Sequence, residues 1–171
     1  LGSKNKIFQN NNLNYLLKKR FGFISKHLNE EDKILELGCG AGNSKHFIKN
    51  KNLKISDITD YDFLDYKNVD CLNTGFKDDT FDAVFSSSLI HHAPNPIKLF
   101  NEVGRILKKN GKYIILDVNM SFFEKLEIIL TKNECYDLDV DIYDKDINLV
   151  DPKDNFDSNN AIPSLIFEDF E

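Results

Sequence analysis

The stretch Lys33-Ile34-Leu35-Glu36-Leu37-Gly38-Cys39-Gly40-Ala41-Gly42 starts as a short apolar run and breaks on three alternating glycines. A run of that kind stopped by glycine is the pattern of a fully buried parallel strand entering a tight turn. Just past the turn, Asn43 or Ser44 can cap a helix through Ile48. Strand, glycine turn and helix form the opening unit of an open α/β sheet, and such sheets bind ligands beyond the carboxyl ends of their strands. The spacing does not suit two common phosphate sites. Counting from Gly38, the third glycine of a dinucleotide fingerprint falls on Asn43, and no Lys-Ser or Lys-Thr pair follows the glycines as in a Walker loop. What is present is an acid, Glu36, two residues ahead of glycines at every second position.

The same grammar continues on both sides. Leu53-Lys54-Ile55-Ser56-Asp57-Ile58 alternates and predicts a second strand, and a third is weakly signalled around Val69. Phe81-Asp82-Ala83-Val84-Phe85 predicts a fourth. Asn95 as N-cap and Pro96 at the first helical position open a helix on Ile97, Phe100, Val103, Ile106 and Leu107 that stops at Asn110-Gly111. Tyr113-Ile114-Ile115-Leu116-Asp117-Val118 predicts a fifth strand. Upstream, Leu13, Leu16, Leu17, Phe21, Ile24 and Leu28 recur at helical spacing. Downstream, Ser121 to Leu130 reads as an amphipathic helix, Tyr136 to Ile142 as a half-exposed strand, and residues 144–160 as an acidic loop. The expected organisation is an N-terminal helical cap over 1–32, an α/β core over 33–118 and a C-terminal helix and acidic segment over 119–171. That last part is either a substrate-side insertion or the end of the same domain.

Composition narrows the function classes. The chain has 171 residues, 41% hydrophobic and 29% charged, with 14 phenylalanines, enough for one buried core. No apolar run approaches the length of a membrane span, and the first residues lack a secretory pattern, so a cytoplasmic protein without membrane insertion is expected. The net charge of −6 argues against nucleic acid, whose binders need a basic face. The three cysteines, Cys39, Cys71 and Cys135, form no CxxC pair and suggest reduced thiols. Asp137, Asp139 and Asp141 mimic the start of a calcium loop, but the sixth and twelfth positions are Ile142 and Asn148 where glycine and glutamate are needed. No metal is expected.

Five segments together resemble the class I S-adenosylmethionine-dependent methyltransferases, in particular their small-molecule members. Ile34 to Gly42 is similar to that family's first motif, and Val69-Asp70-Cys71 to its third-strand segment. Phe76-Lys77-Asp78-Asp79-Thr80-Phe81-Asp82-Ala83-Val84 and Ser86-Ser87-Ser88-Leu89-Ile90-His91-His92-Ala93-Pro94-Asn95-Pro96 follow in the family's order. Glu102 to Gly111 closes the set, with Lys109 and Asn110 in place of a proline and a glycine; Asn tolerates the left-handed backbone. The resemblance implies a Rossmann-like open, mostly parallel sheet with helices on both faces. It also implies S-adenosylmethionine as cofactor, S-adenosylhomocysteine as product, and methyl transfer by in-line displacement to a sugar, lipid precursor or other metabolite. By the same resemblance Glu36 supports the methionine end, Gly38, Cys39, Gly40 and Gly42 let the backbone approach the cofactor, Asp57 with Ile58 takes the ribose hydroxyls, Asp70 and Cys71 recognise the adenine, and Ser87 helps hold the cofactor. A cationic cofactor without a pyrophosphate suits carboxylates and glycines better than a helix N-terminus aimed at a dianion. His91 and His92 follow the fourth strand; either is a candidate base for a protic acceptor, or a structural histidine. Asp82, at the other end of that strand, is expected to be structural.

Two alternatives stand beside methyl transfer. One is a silent module that keeps the fold and cofactor and serves as a partner subunit; the other, a nicotinamide dehydrogenase, is disfavoured by the missing third glycine. The length also carries an expectation. The family's sheet has seven strands, and five are used by residue 118. Residues 136–142 and 164–168 are then either the last two strands or part of a fragment that ends before them. Family members run on past a segment like Ile162 to Phe167, which favours the fragment.

Overall fold

The computed structural model describes residues 10–119, 128, 130, 135–144, 146, 148–151, 154 and 157–167. Helix α1 spans Asn11–Ser25, and the Asn10 side chain accepts from the amides of Asn12 and Leu13 at its start. Strand β1 is Ile34–Leu37, α2 is Ser44–Phe47, β2 is Leu53–Ser56 and β3 is Phe81–Ser87. A 3-10 turn at Ile90–His92 leads to α3, Pro96–Ile106, then β4, Leu107–Leu116, and α4, Ile162–Phe167. The four strands are parallel in the order β2-β1-β3-β4, so the order reverses next to β1, where open sheets place their ligands.

Every residue of β1 is buried. Ile34 packs with Leu17, Phe21 and Ile24 of α1 on one face, and Leu35 and Leu37 pack with Leu99, Val103 and Ile106 of α3 on the other. Fully burying each of these aliphatics contributes about 1.5–3 kcal/mol, so the central strand is anchored on two fronts. A register irregularity between Phe81 and Ala83 lets Phe81 and Val84 share the α3 face while Ala83 and Phe85 point to α1. The outer edge of β2 is closed: Asp65 Oδ2 accepts the Ile55 amide at 2.9 Å, and the amides of Asp65 and Tyr66 donate back to the Ile55 carbonyl.

Several expectations need correction. The third strand around Val69 is absent: residues 57–80 hold only the isolated bridges Ser56–Tyr66 and Asp70–Asn73. Asn68 turns left-handed at φ 53° and Asp70 Oδ1 accepts the Leu72 amide, so this polar segment satisfies its backbone locally. Helix α3 stops at Ile106, and β4 begins at once, passing through a left-handed Asn110 before its apolar half. Tyr136 to Ile142 forms no strand. Asp137 Oδ1 and Asp141 Oδ1 instead accept the amides of Asp139 and Tyr143, which makes turns of the alternating aspartates. Ile162–Phe167 is helical where residues 164–168 were, in one reading, a closing strand, and Pro163 near its start suits a first helical turn. In α1, Leu17, Phe21 and Ile24 are buried, but Leu13 and Leu16 are exposed. Most of the expected helix over 121–130 lies outside the described residues. None of the described helices is long and apolar enough to cross a membrane.

Two buried glutamates give the fold opposite pH signatures. Glu102 accepts from the Thr74 amide at 2.7 Å, the Thr74 hydroxyl at 2.6 Å and Arg105 Nε at 2.9 Å. The Arg105 contact above all holds its carboxyl down at about 2, against the opposing effect of burial. Its stabilisation is present above the unfolded value and is lost as pH falls towards 2. Glu36 is pushed up to about 8, chiefly by burial, with Ser44 Oγ on its Oε2 opposing. The native state therefore keeps a proton that the unfolded chain loses near 4.5, so stability falls as pH rises from about 4.5 to about 8. Urea unfolding of Glu102→Gln is expected to show a loss of about 2 kcal/mol at neutral pH that shrinks in acid. Glu36→Gln should lose no stability between pH 5 and pH 8 where the parent chain loses a few kcal/mol. Parallel pH profiles for the parent and both variants would contradict these assignments.

Candidate functional site

The turn after β1 holds Gly38, Gly40 and Gly42 at φ +70°, +52° and +67°. Two of these positions require glycine twice over. A Cβ on Gly38 would stand 2.6 Å from Leu89 Cδ1, and one on Gly42 would stand 2.9 Å from Phe63 Cε2. The turn is pinned to β2 by two bonds: the Cys39 amide donates to the Ser56 carbonyl at 3.0 Å and the Gly40 amide to Asp57 Oδ2 at 2.8 Å. Asp57 Oδ1 accepts the Thr59 amide at 3.1 Å. One carboxylate at the end of β2 thus fixes the glycine turn and its own loop.

Around this turn opens a cleft of about 750 Å³. Of the residues expected at the site, Gly38, Gly40, Asp57, Ile58, Asp70, Cys71 and His92 line it. Glu36, Cys39, Gly42, Ser87 and His91 do not. Glu36 is buried in β1 against Ser44, below the turn. Gly42 is buried against Phe63 and Ile55. Ser87 ends β3 with its hydroxyl buried and without a protein partner, and its neighbour Ser88, left-handed at φ 58°, lines the cleft in its place. Burial pushes both the Cys39 and the Cys71 thiols up to about 12, so neither is a nucleophile at neutral pH.

The two histidines part company in the 3-10 turn, where consecutive side chains point about 120° apart. His92 lines the cleft, and its Nδ1 lies 2.8 Å from the Asp157 carbonyl. His91 is buried, and its Nδ1 lies 2.5 Å from Asp117 Oδ1. Burial works to raise the Asp117 carboxyl, but the His91 hydrogen bond and charge and the Val118 and Ile90 amides outweigh it and hold it low. Asp117 did not stand out in the sequence, although it ends an apolar strand as Asp57 does. Tyr61 and Phe63, stacked at 5.4 Å on one rim, were also missed; their spacing carries no motif. Asp151 and Asp154 reach the wall from the acidic segment, and nothing in that loop's composition singles them out.

The cleft fits a cofactor bearing a sulfonium and an ammonium. Its described walls carry four aspartates, at 57, 70, 151 and 154, and no lysine or arginine. Thr59, on the wall, keeps a buried hydroxyl with no protein partner, a free donor and acceptor beside Asp57.

Residues 35–115 match the family described as methyltransferase domain. The uncharacterized protein MJ0638 of Methanocaldococcus jannaschii is 34% identical over 112 residues, which cover 61% of this chain and 49% of that protein. The sterol 24-C-methyltransferase ERG6A of Gibberella zeae is 29% identical over 99 residues, 47% of this chain and 26% of that enzyme. The chain therefore spans half or less of these relatives. The PH0226 protein of Pyrococcus horikoshii superposes with a TM-score of 0.56 at 21% identity, covering 73% of this chain and 64% of its own. The YcgJ protein of Bacillus subtilis superposes at 0.53 and 20%, covering 66% and 56%. These two likenesses show the fold. The motif order and the cleft at the strand-order switch agree with this match, so residues 35–115 are similar throughout to a methyltransferase domain.

Proposed function

We propose that this chain transfers a methyl group from S-adenosylmethionine to a small-molecule acceptor held on the His92 side of the cleft. The observation that carries this reading is Asp57, whose carboxylate braces the Gly40 amide beside the strand-order switch while lining the cleft. Its two oxygens suit a vicinal diol such as a ribose. Gly38 and Gly40 would hold the methionine portion, with Glu36 behind them, and Ile58, Asp70 and Cys71 the adenine side. Ser87 and Cys39 would act from behind the wall. When bound, the cofactor supplies a methyl group on a sulfonium, an already activated leaving group, so the protein's task is orientation and exclusion of water. His92 would take up the acceptor's proton where the acceptor is a hydroxyl or an ammonium. A carbonyl can only accept, so the Asp157 contact puts the His92 proton on Nδ1 and leaves Nε2 as the basic nitrogen.

The parts of the chain take matching roles in this proposal. Residues 33–118 would carry the cofactor, and helix α1 of the N-terminal cap would cover one face of the sheet. From the C-terminal segment, Leu149 and Asn159 would help cover the acceptor side; the Leu149 amide bonds the Pro94 carbonyl and the Asn159 amide bonds the His91 carbonyl, each at 2.8 Å. A lipid precursor is one acceptor class to test, given the sterol methyltransferase among the relatives. The acidic walls favour neutral or cationic acceptors over phosphates and nucleic acid.

Calorimetry with S-adenosylhomocysteine is expected to show binding, weakened about tenfold or more by Asp57→Asn. An unchanged dissociation constant would remove Asp57 from the site. Mass spectrometry of reactions with sterol, sugar and amine acceptors should reveal a product heavier by one methylene. Cofactor binding without product from any of them would favour a silent partner subunit. With an active acceptor, His92→Gln should lower turnover about a hundredfold at unchanged cofactor affinity, and full turnover would exclude His92 as the base.

A further inference from the structure

Asp117 closes β4 at the edge of the cleft and accepts four hydrogen bonds on one carboxylate. Its Oδ2 takes the amides of Leu89 at 2.9 Å and Ile90 at 2.7 Å, and its Oδ1 takes the Val118 amide at 2.8 Å and His91 Nδ1 at 2.5 Å. With side chains 3% and 8% exposed, Asp117 and His91 are a charged group and its partner almost wholly removed from water. The His91 ring in turn lies 4.1 Å from the His92 ring, at 43°. A chain of contacts therefore runs from a buried carboxylate, through one imidazole, to a second imidazole in the cleft wall.

We infer that Asp117 is a positioning residue and counter-charge for the His91–His92 pair, making the pair a single proton-accepting unit on the acceptor side of the cleft. This rests on the methyl-transfer reading for its use, but not for its detection.

The physical reasons are three. An ionised carboxylate can only accept, so Asp117 holds the His91 proton on Nδ1 and fixes the ring's orientation. Its two backbone contacts at Leu89 and Ile90 set the phase of the turn that sends His91 inward and His92 to the wall. Leu89, held this way, is also the side chain against Gly38, so the same carboxylate joins the acceptor wall to the glycine turn. Finally, when His92 gains a proton the pair gains a positive charge in a poorly solvated place, and the Asp117 charge offsets it. The orienting aspartate of a histidine-based catalytic triad does this for the ring it bonds directly; Asp117 bonds His91 and acts on His92 through that ring. In the proposed step the acceptor's proton passes to His92 Nε2, the acceptor atom forms its bond to the methyl carbon, and the electron pair of the broken carbon–sulfur bond stays on sulfur.

Among the described residues, other charged or titratable groups lie near the pair. The Tyr113 hydroxyl, on β4, is bonded to Ser86 at 2.8 Å, and burial pushes it up, out of the neutral range. Asp157 presents its carbonyl to His92 while its carboxylate takes the Asp151 and Ser158 amides. Asp151 and Asp154 lie on the same wall as His92. All of these carboxylates stay in place when Asp117 is altered.

The test is an NMR titration of the full chain labelled with ¹⁵N-histidine, in the parent and in Asp117→Asn, read through long-range imidazole correlations. In the parent, His91 is expected to carry a proton on Nδ1 at every pH. In Asp117→Asn, the His91 proton should move to Nε2, and the pair, without the carboxylate charge, should take up its proton at lower pH than in the parent. An Asp117 that only braced the backbone at Leu89 and Ile90 would move neither reading. An unchanged midpoint and tautomer in the variant overturns the inference, and so does a parent His91 protonated on Nε2 alone, which needs no variant to detect. The titration uses neither cofactor nor acceptor. The expected shift with no methylated product from any acceptor leaves the pair standing and removes methyl transfer; methyl transfer with no shift removes the pair alone.

Discussion

The hydrogen bond from the Gly40 amide to Asp57 Oδ2 is short, at 2.8 Å, and much of the molecule is arranged around it. It joins the ends of β1 and β2, beside the β1/β3 crevice where the strand order reverses. The left-handed glycines allow the turn to fold back over β2, and the Cys39 amide on the Ser56 carbonyl holds the same approach from the other side. Loss of the carboxylate would remove the partner of the Gly40 amide and leave the turn tied to β2 by the Cys39–Ser56 bond alone. The cleft is shaped by this constraint, because Gly38, Gly40 and Asp57 are three of its walls.

Burial explains why some elements are legible in the sequence. β1 and β3 are covered on both faces, so their apolar runs, broken by glycines or followed by a helix cap, read plainly as buried strands. α3 announces itself through Asn95, whose side chain accepts the Lys98 amide at 2.9 Å, and through Pro96 behind it. Short alternating segments are less secure. At Val69 and at Tyr136 to Ile142, aspartates that look like the polar face of a strand spend their oxygens on nearby amides. Local side-chain bonding of this kind competes with ladder formation and leaves the same alternating pattern. In α1, helical spacing identified the helix, but only three of its apolar positions meet the sheet.

The site shows the same division. Asp57 and the glycines could be found because strand ends and glycine turns are fixed by backbone geometry. The difference between His91 and His92 could not, since one residue of phase in a 3-10 turn decides which ring faces the cleft. That phase is set by Asp117, 25 or more residues further along the chain, through contacts no local pattern encodes. Glu36 was legible as part of a motif but not as a buried group sharing its carboxyl with Ser44. Its protonation at neutral pH follows from the closed strand around it.

The central claim is that the Asp57 carboxylate receives the cofactor at the switch in strand order. A crystal structure of the chain grown with S-adenosylhomocysteine tests it most directly. The account predicts both ribose hydroxyls on Asp57, the methionine portion over Gly38 and Gly40, and the sulfur facing the wall that carries His92. A ligand bound elsewhere, or bound in the cleft with its ribose away from Asp57, would contradict it.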